Sequence, residues 1–366
     1  MVRFHVVNSV KGGCGKSTFS LYLANYLSAQ NHSVVIIDLD IGGSTWYRGF
    51  KSYLVNSTAK PSIKVNNGNS ENNTPKEEIK FINDLLYEYE KNFKKEHVFR
   101  LSVEDDKKIA PKTGDISTEH RIINVVMSNP EEAACIRDEA LDLLECAIYN
   151  LVDEIATNTY PHNPKATVDI IFDMPPGYEE HSERILMHAL MDLGSNLYKN
   201  YTRKKEKGEF TNPVYLYMLS GVKQSSLEAN IQYVKRFYKN PSYSMDIGIL
   251  KPENIFFILN DLDASFQQYV MVEEKVKSPQ NAAFTLTENI SSSEKIGGES
   301  IKVRFVNHIP IMLSNQSFIN IITSRNDTNP TSYKLVDTLG GFKDLFKTME
   351  HIANNDEEKD SYESKS

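Results

Sequence analysis

Val10-Lys11-Gly12-Gly13-Cys14-Gly15-Lys16-Ser17-Thr18 lies directly after an apolar run, Phe4 to Val7, and directly before a segment of helical periodicity. A glycine-rich loop between a buried strand and a helix lets successive backbone N–H groups turn inward around a polyphosphate, and the helix N-terminus adds its dipole. Lys16 is spaced to reach the outer phosphates, and Ser17 to offer a hydroxyl to Mg2+. The usual pattern, G-x-x-x-x-G-K-[ST], is met except at its first position, where Val10 replaces glycine and a second lysine, Lys11, follows. Strand, loop and helix in this order predict an α/β fold: a doubly wound, mostly parallel sheet with helices on both faces.

Outward from the loop, residues 16 to 30 read as a helix with Phe19, Leu23, Tyr26 and Leu27 on one face, and Ser33 to Asp38 as a second strand. A second strand that is almost wholly apolar belongs in a parallel sheet covered on both sides. Further strands are expected at Phe4 to Asn8, 122 to 127, Val168 to Asp173, Val214 to Leu219, Ile255 to Asn260 and Val303 to Asn307. Helices are expected at 76 to 96, 131 to 157, 180 to 200, 224 to 238 and 340 to 354. Residues 56 to 75, rich in Asn, Ser, Thr and Pro, read as a solvated loop. One domain over 1–355 is expected, with insertions at 51–115 and 264–300. The tail 356–366, with five acids and two lysines, is expected to be a disordered acidic segment.

Two acidic segments end strands on the edge where the phosphate loop lies. Asp38-Leu39-Asp40-Ile41-Gly42-Gly43 closes the second strand, and Ile170-Ile171-Phe172-Asp173-Met174-Pro175-Pro176-Gly177 runs from an apolar strand through one acid into a stiff turn. In doubly wound sheets this carboxyl edge is where ligands bind.

Written as K-G-G-x-G-K-S-T, the loop resembles the deviant Walker A motif of the ParA/MinD family of P-loop ATPases, and the two acidic segments resemble that family's first switch and its Walker B with second switch. The resemblance covers the motifs from residue 2 to about 312 in the expected order. It implies an ATP hydrolase working as a homodimer in the ATP state, with ATP and Mg2+ as cofactors. By that resemblance Lys11, Gly12, Gly13, Cys14, Gly15, Lys16, Ser17 and Thr18 cradle the phosphates, and Lys11 crosses to the partner subunit's nucleotide. Asp40 orients the attacking water, Asp38 supports the metal shell, Asp173 holds a Mg2+ water together with Ser17, and Gly177 presents its N–H to the γ-phosphate. Asn260, at the end of Phe256-Phe257-Ile258-Leu259-Asn260, resembles the residue that touches the adenine edge, and Ile309-Pro310 resembles the turn that lines the base. Asn260-Asp261-Leu262-Asp263 also has the N-x-x-D spacing by which GTPases read guanine, but Asp261 stands where a lysine normally packs on the base. ATP is therefore expected, with a GTP-using relative as the alternative.

The remaining composition narrows the task. The 366 residues carry 41 basic and 49 acidic side chains, a net of −8, so the surface as a whole is not a nucleic-acid glove. Three cysteines without metal spacing suit a reducing cytoplasm. Cys135 and Cys146 are about 16 Å apart if helical, too far to share a cluster within one helix. No run of 18 apolar residues occurs, and around the last helix Lys343 and Lys347 are offset by Asp344 and Glu350, so no membrane partner is expected. Lys199, Arg203, Lys204, Lys205 and Lys207, beside Tyr198 and Tyr201, offer contacts to nonspecific DNA. The resemblance thus implies cargo positioning, such as plasmid or chromosome partition, with a DNA-bound adaptor protein. The competing reading is a nucleotide-dependent interaction scaffold with little turnover.

Overall fold

The structure is a computed structural model. It describes residues 2–49, 80–88, 90, 92–94, 97–104, 120–132, 142–144, 146–148, 150–151, 167–177, 214–221, 224–239, 254–260, 294–296 and 298–306. Eight strands form one sheet: β1 Val2–Asn8, β2 Ser33–Asp38, β3 Val98–Glu104, β4 His120–Val126, β5 Val168–Asp173, β6 Val214–Ser220, β7 Ile255–Asn260 and, after a short hairpin of β8 Lys295–Ile296 with β9 Glu299–Ser300, β10 Lys302–Val306. Their order is β10-β7-β6-β1-β5-β2-β4-β3. Every pairing in this sheet is parallel except β3 with β4.

The central strands are buried on both faces, which is why they read as continuous apolar runs: β5, β6 and β7 are buried at every position. Alternate residues face opposite layers. Val34 and Ile36 join Phe19, Leu23 and Leu27 of the helix α1, Lys16–Ala29, on one side. Val35 and Ile37 join Leu227, Ile231 and Val234 of the helix Gln224–Lys239 on the other. Sequence periodicity gives α1 a single apolar face, but residues 18 to 24 are all buried, so this helix is covered around its circumference. The reason lies in Leu21, Tyr22 and Ala24, which add a second apolar side. The expected face itself is confirmed at Phe19, Leu23 and Leu27, while Tyr26 is only half-buried.

The strands expected from sequence are present with ends shifted by two residues at most, and the helix expected at 224 to 238 is found at Gln224–Lys239. Two differences have physical causes. Within 76 to 96 the described helix is Ile82–Tyr87, where Ile82, Asn83 and Leu85 are buried, and residues 90 and 92–94 beyond it are not helical; the charges Lys80 and Glu88 on either side of this short helix pair with each other, and residues 76–79, 89, 91, 95 and 96 lie outside the described residues. β3 lies inside the segment treated as an insertion and adds an antiparallel edge to the sheet. A lone edge strand is paired on one side only, so its sequence carries no long apolar run to announce it. No helix among the described residues is long and apolar enough to cross a membrane.

The edge opposite the phosphate loop holds a buried ionic cluster. Arg3 of β1 donates from Nε and Nη2 to the Asp169 carboxylate of β5 at 2.6 and 2.9 Å, and Arg3 and Asp169 are register partners. His5 Nε2 and His32 Nδ1 each lie 2.8 Å from the same carboxylate. Burial alone would raise the Asp169 pKa; hydrogen bonds from His32 and His5 and the Arg3 charge outweigh it and hold the carboxyl well below its usual range. Burial lowers the pKa of His5, which is stacked on Tyr215 with ring centroids 5.2 Å apart.

Candidate nucleotide site

β1 ends at the C-terminal edge of the sheet, and the chain turns there without a glycine because side chains hold it. Ser9 N–H donates to Asn8 Oδ1 at 2.7 Å, and the Ser9 hydroxyl donates to the Lys11 carbonyl at 2.8 Å. Val10 N–H donates to Asn230 Oδ1 at 3.0 Å, while Asn230 Nδ2 donates to the Leu219 carbonyl and the Ser220 hydroxyl, both at 2.8 Å. Asn230 thus ties the start of the loop to the end of β6. The loop closes at Gly15, whose φ of +88° caps α1 in a conformation that a side chain would strain. Gly12 and Gly13 are exposed with Lys11, Gly15, Ser17 and Thr18 sit at the helix start, and Lys16 and Cys14 are buried. The Cys14 thiol points back to the Lys11 carbonyl at 3.3 Å, so it packs the loop from behind.

Asp38 and Asp173 are register partners on adjacent strands, which sets two carboxylates side by side beneath the loop. Burial, then the Asp173 charge, pushes Asp38 well above the usual carboxylate range. Its oxygens are used within the protein: Oδ1 accepts from Asp40 N–H at 3.2 Å, and Oδ2 accepts from the Ser44 hydroxyl and from Ser128 N–H at 3.3 Å. The Ser128 hydroxyl also donates to the Asp38 carbonyl at 2.6 Å, joining the ends of β2 and β4. Ser44 Oγ in turn accepts Tyr47 N–H at 2.9 Å, capping the helical turn over residues 45–49. Asp40 is half-buried, and its carboxylate folds over Gly43, where a Cβ would stand 2.7 Å from Asp40 Oδ1.

Burial pushes Asp173 up to about 6, and the Lys16 charge, the Ser17 hydroxyl and the Trp46 indole oppose that rise. Trp46 Nε1 donates to Asp173 Oδ2 at 2.7 Å, whereas Oδ1 is buried and accepts no hydrogen bond from the described residues. A buried carboxylate oxygen left open beside a lysine and a hydroxyl fits a hydrated divalent cation. No group of three or more His, Cys, Asp or Glu side chains among the described residues could cage a metal. The open Asp173 oxygen and the Ser17 hydroxyl are donors of the kind that a hydrated Mg2+ uses, since that ion takes few protein ligands and completes its shell with water and phosphate.

Two expected contacts have other partners in this structure. Gly177, at φ +109°, donates its N–H to the Ser9 carbonyl at 3.2 Å. Asn260 is fully buried and donates from Nδ2 to the Cys14 carbonyl at 3.4 Å, bracing the loop. Pro310 and the basic stretch from Lys199 to Lys207 lie outside the described residues. Ser44, Trp46, Ser128 and Asn230 were not singled out from sequence. Trp46, the chain's single tryptophan, eight residues past the acid that ends β2, was the available signal.

The profile of the CobQ/CobB/MinD/ParA nucleotide binding domain matches residues 5–355. No curated protein sequence matches the chain. Among solved structures, the cell division ATPase MinD of Pyrococcus furiosus is similar at 14% identity and a TM-score of 0.35, covering 74% of this chain and 80% of that one. A plasmid partition protein from Borrelia burgdorferi is similar at 14% identity and a TM-score of 0.39, covering 87% and 96%. An ATP complex of a Cyanothece McdA variant is similar at 10% identity and a TM-score of 0.44, covering 95% and 96%. With a phosphate loop, two strand-end acids and a doubly wound sheet in place, and a profile match across nearly its whole length, the chain belongs to the CobQ/CobB/MinD/ParA family of nucleotide-binding domains.

Proposed function

We propose that the protein is a Mg2+-dependent ATPase whose ATP-bound form is a homodimer, and that the cycle serves cargo positioning such as plasmid or chromosome partition. The observation that carries this reading is the convergence of Lys16, Ser17 and the open oxygen of Asp173 beneath a loop that also exposes Lys11. Phosphoryl transfer asks the protein for positive charge, an oriented water and little covalent chemistry. Bound Mg2+ would neutralise charge on the phosphate oxygens, with Ser17 and a water on Asp173 as its protein-side contacts. Asp38, whose oxygens are taken by Ser44, Ser128 and Asp40 N–H, supports that shell indirectly by holding the end of β2 in place.

Lys16 acts on the nucleotide of its own subunit. Lys11, exposed at the loop tip, reaches the nucleotide of the partner subunit, so that hydrolysis depends on dimerisation. Asp40 orients the attacking water. The Gly177 N–H leaves the Ser9 carbonyl for the γ-phosphate and returns when that phosphate departs, which makes the bond at 3.2 Å one half of a two-position switch. Asn260 and Pro310 are assigned to the base, and bracing of the Cys14 carbonyl by Asn260 links base occupancy to loop geometry. The ATP dimer binds nonspecific DNA and a DNA-bound adaptor in the cytoplasm.

Lys11→Ala tests the central claim. Hydrolysis is expected to fall to background while nucleotide binding persists, and wild-type turnover in this variant refutes the crossing lysine. Steady-state hydrolysis measured with and without DNA separates partition from a switch: DNA stimulation supports the former, and negligible turnover with nucleotide-dependent protein capture supports a scaffold.

A further inference from the structure

We propose that Trp46 is a positioning residue that aims Asp173 at the metal and couples the first acidic segment to the second; the inference rests on the nucleotide-site reading above. Four observations carry it. Ser44 caps the turn over residues 45–49 through Tyr47 N–H at 2.9 Å, which sets Trp46 inside the first helical turn. The Trp46 side chain is fully buried, and its Nε1 lies 2.7 Å from Asp173 Oδ2. The other oxygen, Oδ1, is buried and accepts no hydrogen bond from the described residues. Ser44 is itself anchored by the Asp38 carboxylate, the register neighbour of Asp173.

An indole N–H is a donor only, so its one hydrogen bond has a fixed direction. Given to Oδ2, it stops rotation of the carboxylate and leaves Oδ1 as the face presented to a metal-bound water. A phenylalanine at this site would fill much of the same apolar space and leave the carboxylate free to turn. Trp46 and Asp40 lie on one continuous segment after β2, only six residues apart. Displacement of that segment withdraws the indole from Asp173, so the acid assigned to the water and the acid facing the metal change state together.

The chain contains a single tryptophan, which gives the test a direct readout. In the full-length 15N-labelled protein the indole N–H yields one resonance, and its position reports the hydrogen bond to the carboxylate. Mg2+ added with ADP is expected to move that resonance, ADP with EDTA to leave it in place, and Asp173→Asn to abolish the Mg2+-dependent movement. In Trp46→Phe the Mg2+ concentration that half-saturates binding of a fluorescent ADP analogue is expected to rise about tenfold, the worth of one charge-assisted hydrogen bond. Mg2+-free affinity for the same analogue stays within about twofold, which loss of general structure would not allow. An indole resonance unmoved by Mg2+ that does tighten ADP binding overturns the proposal, as does a wild-type Mg2+ requirement in Trp46→Phe. Absence of any nucleotide binding by the wild type overturns the nucleotide-site reading and this inference with it. Should Trp46→Phe not fold, the wild-type resonance alone decides.

Discussion

Asp169→Asn is the substitution whose consequence the fold specifies most fully. The carboxylate is completely buried at the start of β5 and receives two hydrogen bonds from Arg3, at 2.6 and 2.9 Å, with His5 and His32 each at 2.8 Å. Asparagine keeps the shape, so no cavity forms; what disappears is the charge. Arg3, only 7% exposed, is then left without a counter-ion. Removing one partner of a buried pair costs about 3–5 kcal/mol, against a total stability of about 5–15 kcal/mol for a typical domain. Urea unfolding near neutral pH, followed by the emission of the buried Trp46, is the assay. Replacing both partners by apolar residues, Arg3→Met with Asp169→Leu, is expected to recover part of the loss, because the orphaned charge is gone while buried His5 still lacks its acceptor.

The pH dependence has a definite sign. The folded-state pKa of Asp169 is depressed, so its stabilisation is present in full above the unfolded value of about 4 and is lost as pH falls through the folded value. His5, whose pKa burial lowers, acts in the same direction: its contribution is complete above about 6.5 and declines as pH drops below that. His5 titrates in both proteins, so it is the loss of the Asp169 contribution that should make the difference between wild type and Asp169→Asn shrink as pH falls below about 4. Asp169 and Asp173 sit at opposite ends of β5, about 13 Å apart at strand rise, so nucleotide affinity should change by less than about twofold. A loss below about 1 kcal/mol at neutral pH, or a difference that widens in acid, refutes the reasoning.

Ser44→Ala removes both the cap of the 45–49 turn and a partner of Asp38, and should lower stability by about 1–2 kcal/mol in thermal melts. Asn230→Leu leaves Val10 N–H and the Leu219 carbonyl without their side-chain partner, so nucleotide affinity by calorimetry should drop about tenfold with the sheet intact by circular dichroism. Asp40→Ala should trap the ATP dimer, visible as a shift to dimer mass by size-exclusion chromatography with ATP; elution as a monomer counts against the cycle.

Legibility in the sequence followed physical locality. β2, β5 and β7 were readable to the residue because strands buried on both faces are continuous apolar runs, and Asp38 and Asp173 stood out because each breaks such a run at its carboxyl end. β3 escaped because an edge strand needs no such run, and the Arg3–Asp169 pair escaped because its partners are 166 residues apart and meet only through strand register. Separation in sequence likewise hid Trp46 from Asp173, 127 residues away. What local pattern revealed were the groups proposed to meet phosphate; what it concealed were the side chains that hold those groups in place. Val10 illustrates why the two differ. A valine in place of the usual first glycine looks like a weakened motif, yet Val10 does not take a left-handed conformation, and Asn230, from a helix more than two hundred residues later, accepts its N–H. The missing glycine is thus compensated by a side chain that pattern matching has no means to weigh, and departures from a motif have to be judged by where the backbone hydrogen bonds go.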